Sequence, residues 1–143
     1  MSEETTTTIT KELAEQEFSN YCAANRFDAD ESAMSDEDKA DFLPIKNRFV
    51  EATMAGRVTV DGKKVVYTIS DESPAGFSGD KVTVIRPNGA AMMAMDGYKD
   101  TQNIRKLQAF MSAIVGKEIQ YFAKLDIEDW MFFQGIATLF LSA

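Results

Sequence analysis

The sequence predicts an α+β fold: a small antiparallel sheet packed with C-terminal helices, joined to a helical, acidic N-terminal segment. Two observations carry this expectation. In the middle of the chain, Val58 and Val60 alternate before an Asp61-Gly62 pair, and "KKVVYTI" follows it. Asp-Gly between β-branched runs readily takes the positive φ of a two-residue hairpin turn. On either side of that stretch, apolar residues recur every three or four positions, the period of a helix with one buried face.

The elements follow in order. "MSEETTTTIT" is too polar to pack, and residues 1–9 read as a disordered tail. Thr10 is placed to cap a first helix, "KELAEQEFSNYCAANRF", with a narrow stripe through Leu13, Glu17 and Tyr21 beside Phe18 and Cys22. "DADESAMSDEDKAD" reads as an acidic loop. Ser35 caps a second helix in which Phe42, Ile45, Phe49 and Val50 share a face and Gly56 supplies the stop. Pro44 inside that pattern either kinks the helix or marks its true beginning. Residues 10–56 thus form an acidic helical segment, and residues 57–143 an α+β core.

Within the core, the Asp61-Gly62 hairpin is followed by the loop "DESPAGFSGD" and a third strand at 81–86, closed by Pro87-Asn88-Gly89. "AAMMAMDGY" reads as a short apolar helix. The next helix places Ile104, Leu107, Phe110, Met111 and Ile114 at helical spacing and stops at Gly116. "KEIQYFAKL" makes about two turns, and Asp126 opens the last helix.

Charge narrows the function. Residues 1–48 hold twelve Asp/Glu against five Lys/Arg, whereas residues 49–143 hold eleven against ten. Nearly the whole formal charge of −8 therefore sits in the first third. That surface repels phosphate backbones and the remainder has no basic surplus, so no nucleic-acid partner is expected. The polar, acidic N-terminus is unlike a secretory signal. The apolar C-terminal run of about a dozen residues is short of the roughly twenty that span a bilayer. The expected location is the cytoplasm, with no membrane partner.

Little of the sequence speaks for catalysis. There is no histidine, and the single cysteine, Cys22, reads as a small apolar residue on a helix. No nucleophile elbow or phosphate-binding loop is present. The acids of "DESPAGFSGD" lack the one-three-five spacing of a calcium loop. Asp126, Glu128 and Asp129 could act as paired carboxylates, but at a helix start a cap plus dipole-complementary charge explains them. No enzyme activity, cofactor or metal is expected.

Two apolar surfaces remain. On the last helix, Trp130, Phe133, Ala137 and Phe140 line one side while Phe132, Ile136 and Leu139 line another. Such two-sidedness means either burial between layers or a side offered to a partner. Met92, Met93 and Met95 form a second cluster, adaptable to apolar partners or to core gaps.

From Arg57 onward the chain runs hairpin, strand, "MMAMDGY", then "IVGKEIQYFAKLDIEDWMFFQGIATLFL". This order resembles the tail assembly chaperones of long-tailed bacteriophages, in particular the group related to the small tail proteins of P2-like and Mu-like phages. The residues that carry the resemblance are Asp61-Gly62, Asp96-Gly97, Gly116, Leu125, Asp129 and Phe140, within residues 57–143. The resemblance implies a non-enzymatic protein of the bacterial host's cytoplasm, absent from the finished virion. It implies binding to the tape-measure protein and to tail-tube subunits before the tail polymerises. Trp130, Phe133 and Phe140 would anchor that partner, with Met92 and Met93 as adaptable neighbours. Self-association through the same helix is a companion expectation. The alternative is a structural tail or head–tail joining protein.

Overall fold

A computed structural model describes residues 9–96, 98–99, 101 and 103–142, and the fold is α+β. Residues 1–8 of the expected tail, and Gly97, lie outside the described residues. In chain order the elements are α1 (Lys11–Asn25), a single 3-10 turn (Glu31–Ala33), α2 (Asp36–Met54), β1 (Val58–Asp61), β2 (Lys64–Thr68) and β3 (Lys81–Val84). Four helices follow: α3 (Gly89–Met93), α4 (Asn103–Val115), α5 (Ile119–Ala123) and α6 (Ile127–Ser142).

Capping residues set the helix starts. The Thr10 hydroxyl accepts from the Leu13 amide at 3.2 Å, and the Ser35 hydroxyl from the Asp38 amide at 3.1 Å. Each satisfies one of the backbone donors that a helix start leaves without an internal partner. Asp36, Glu37 and Asp38 fill the first turn of α2, where the dipole favours acids. Pro44 lies inside α2, which runs unbroken from Asp36, so the proline does not mark its beginning. α1 ends on Arg26 at φ 63°, whose amide bonds back to the Ala23 and Cys22 carbonyls.

The sheet has order β1-β2-β3, both pairs antiparallel, with Asp61 opposite Lys64 across the Asp61-Gly62 turn. Gly62 takes φ +61°, as that turn requires. Val58, Val65, Tyr67, Val82 and Val84 face the core. The third strand ends at Val84 rather than 86, because the Ile85 amide turns away to the Ile114 carbonyl at the end of α4, 2.9 Å distant.

One core joins both expected segments. α1 contributes Ala14, Phe18, Tyr21 and Cys22, and α2 contributes Phe42, Phe49 and Val50, to the same cluster that holds the sheet and α4–α6. Phe49 stacks on Tyr21 and Phe132 at centroid distances of 5.6 and 5.8 Å and meets Phe18 edge-on at 5.0 Å. The buried Asn25 side chain bonds the Tyr21 carbonyl on α1 and the Lys63 carbonyl on the hairpin turn. Leu13, expected in the α1 stripe, is instead exposed, because the buried face runs through Ala14, Phe18, Tyr21 and Cys22. Cys22 is buried, and burial pushes its thiol up to about 12.

Because Phe49 is enclosed by rings from α1 and α6, Phe49→Ala should lower unfolding free energy by about 3–5 kcal/mol in a denaturant titration. Residues 57–143 alone should show no cooperative unfolding transition; a sharp transition for that fragment would separate the acidic segment from the core.

Candidate functional site

α6 is where the sequence located the partner surface, and the structure covers most of it. Phe132 stacks on Tyr67 at 4.1 Å and on Phe49 at 5.8 Å. Phe133 meets Tyr67 at 5.2 Å and Phe122 at 5.6 Å, both edge-on. Ile136, Ala137 and Leu139 are buried as well. α2 and α4 pack against α6, and Tyr67 of the sheet touches both of its apolar sides, stacking on Phe132 and meeting Phe133 edge-on. Gly135 allows close approach on the α2 side, where an added Cβ would stand 3.2 Å from Ile45 Cγ2.

The expected partner residues thus divide. Phe133, at 0% exposure, is a core residue and not a contact surface, because the sheet's Tyr67 and the α5 ring of Phe122 close over it. Trp130 and Phe140 are half-buried against the same core, Phe140 with its ring edge-on to Phe27 at 4.7 Å. Met92 and Met93 are 50% and 70% exposed. They lie on α3, a five-residue helix whose only buried member among the described residues is Ala91. The Asn88 side chain caps α3 by accepting from the Ala90 and Ala91 amides.

The three acids at the start of α6 also divide. Asp126 Oδ2 accepts from the Glu128 amide at 2.9 Å, as a cap does. Glu128 is exposed, 3.8 Å from the Arg48 guanidinium. Asp129 does something else: its carboxylate is fully buried and turned toward the sheet. Its Oδ1 accepts from the Tyr67 hydroxyl at 2.5 Å and the Ser70 amide at 3.1 Å. Its Oδ2 accepts from the Ser70 and Ser73 hydroxyls at 2.8 and 2.5 Å. Ser73 Oγ in turn accepts from the Asp126 amide at 2.8 Å, which ties the loop after β2 to the start of α6. Arg57 approaches Asp129 at 3.8 Å and donates to the Tyr67 hydroxyl.

Burial alone would raise the Asp129 pKa, but hydrogen bonds from Ser73, Tyr67 and Ser70 outweigh it and hold the carboxyl below its usual range. Burial raises the Tyr67 pKa, and its bond to Asp129 raises it further, so the phenol stays a donor. Asp129 stands in the first turn of α6, where dipole-complementary charge is expected, and its hydrogen-bond donors lie on other elements. These partners are 56 to 62 residues away, and no local pattern marks them. Among the described residues no group of three or more His, Cys, Asp or Glu is placed to hold a metal ion. No described helix is long and apolar enough to cross a membrane.

No family model matches the chain, and no curated protein or solved structure matches it at a significant level.

The folded-state pKa of Asp129 lies below that of an unfolded aspartate, about 3.9. The stabilisation is therefore complete above that value and lost as pH falls through the lower folded one. Asp129→Asn should cost about 1–3 kcal/mol near neutral pH and flatten the acid limb of stability against pH. An unchanged acid limb would assign that limb to other carboxylates.

Proposed function

We propose that the protein is a tail assembly chaperone, holding apolar helical stretches of a tape-measure protein before tail-tube subunits polymerise around them. The observation that supports this reading is α3. It presents Met92 and Met93 to solvent at 50% and 70% exposure, beside a core that already encloses Phe132 and Phe133 of α6. Unbranched thioether side chains reshape to fit varied apolar partners, which suits a client lacking one fixed structure. Binding there would follow the helix-in-groove mode, with the client's apolar stripe laid against the methionines. Trp130 and Phe140, half-buried, are left a minor share, and Phe133 none.

The protein acts, on this reading, in the cytoplasm of the infected host, needs no cofactor, and is missing from the finished virion. The order of hairpin, strand and helices that resembles the phage chaperones is also the order of elements in the fold. A tube subunit would build its polymer chiefly from strands, and here strand is only 10% of the described residues.

Co-expression with a long phage tape-measure protein, sought in the reading frames next to this one, tests the reading. The wild-type chain should co-purify with it, and Met92→Ser/Met93→Ser should weaken capture by about tenfold or more, in the range of interface hot spots, with an unchanged melting temperature. Failure of the wild type to capture the tape-measure protein would sink the reading. Full capture by the double variant would move the contact off α3.

A further inference from the structure

A cleft of about 290 Å³ opens between the loop after α1, helix α2 and the C-terminal half of α6. Phe42, Ile45 and Leu139 line it with apolar surface, and Asp28, Asp38 and Asp41 stand on its walls. All three acids are exposed. The described ion pairs spend Lys46 on Glu31, Arg48 on Glu128 and Arg57 on Asp129, none of them on these three carboxylates. The Lys46–Glu31 pair fixes the 3-10 turn against α2, so one wall of the cleft is held in place. An apolar floor under three carboxylates selects an apolar side chain with a cation beside it.

The chain itself carries such a group. Of the large apolar side chains exposed among the described residues, Ile127 sits between Asp126 and Glu128, and Leu13 follows Glu12. The acid walls would repel both. Met92 and Met93 have alanine neighbours, and Leu141 follows Phe140. Ile85 precedes Arg86, but that guanidinium is spent on the Asn25 carbonyl of its own chain at 2.7 Å. Ile104 is different: it is 68% exposed in the first turn of α4, and the exposed Arg105 follows it. It also lies on the same face as Leu107 and Met111, so the apolar stripe of α4 continues beyond the core into solvent. Residues 1–8 hold two glutamates and no lysine or arginine, and so offer these walls no cationic side chain.

We propose that this cleft receives the first turn of α4 from a second copy of the chain, with Ile104 over the apolar floor and Arg105 against Asp28, Asp38 and Asp41. Two copies of a chain with net charge −8 otherwise repel, so association is confined to the one register in which a basic turn meets the acid walls. The contact is distinct from the methionine surface of α3 and does not depend on what that surface binds.

Sedimentation equilibrium of the full chain tests it, at low and at high salt. The wild type should self-associate at low salt and dissociate as salt rises. Asp38→Lys/Asp41→Lys and, separately, Arg105→Glu should each weaken self-association by about tenfold or more. Mixed one to one, the two variants should associate again, because the reversed cleft of one faces the reversed turn of the other and the second pair keeps its native signs. Ile104→Ser should weaken association without restoring it in any mixture. All four positions are exposed, so circular dichroism should be unchanged. A wild type monomeric at every concentration, or association indifferent to both reversals, would overturn the proposal.

Discussion

A helix that is apolar on two sides has to be covered on two sides, and most of this architecture follows from covering α6. Phe132 needs a flat partner and finds the Tyr67 ring at 4.1 Å; Phe133 needs an enclosing edge and finds Tyr67 and Phe122. Each such ring contributes about 1.5–3 kcal/mol when fully buried, a sizeable fraction of the roughly 5–15 kcal/mol net stability of a whole domain. The three-stranded sheet reaches both sides through Tyr67 but does not enclose them. α2 adds Phe49 against Phe132, and α1 backs Phe49 with Phe18 and Tyr21, so the acidic third of the chain carries these rings on its inner faces.

Apolar packing alone leaves the position of α6 along the sheet loosely specified, since one greasy contact substitutes for another. Asp129 removes that freedom. A buried carboxylate is costly unless its oxygens are satisfied, and here they accept from one phenol, two hydroxyls and one amide. Any slip of the helix by a residue would strand the charge. The same bonds fix the Ser70–Ser73 loop, whose backbone would otherwise have only its own turns to hold it. Specificity of register is thus a polar effect inside an apolar core.

What the sequence revealed follows from how far each signal reaches. Caps at Thr10 and Ser35 and the Asp61-Gly62 turn act within three residues, and all three sit where the pattern placed them. Periodicity located α4 and α6 but not their depth. Ile104 and Phe133 both fall on apolar stripes, yet one is exposed and the other sealed, a difference decided by elements distant in sequence. Pro44 was ambiguous because a proline is tolerated in the first turn of a helix and costs a hydrogen bond only inside one; here it lies inside, and the packing of α2 on α1 and α6 outweighs that loss. The Asp129 cluster and the acid-walled cleft were hidden for one reason. Each assembles side chains from segments far apart in the chain, and "DADESAMSDEDKAD" by itself reads as a loop.

The two open surfaces differ in what they can discriminate. Met92 and Met93 have uncharged neighbours, so contact there is governed by area and tolerates changes of sequence and salt. The cleft is walled by carboxylates, so contact there depends on charge and fades as ions screen it. On the proposed reading, holding changing stretches of one long client while keeping a defined relation to other copies calls for both kinds: a charged client site would reject most of an apolar tape, and a methionine self-contact would admit any greasy segment. The proposed self-contact and the proposed client site would then be kept apart by the charge asymmetry of the sequence, which places Asp28, Asp38 and Asp41 in the acidic first third and uncharged residues beside Met92 and Met93.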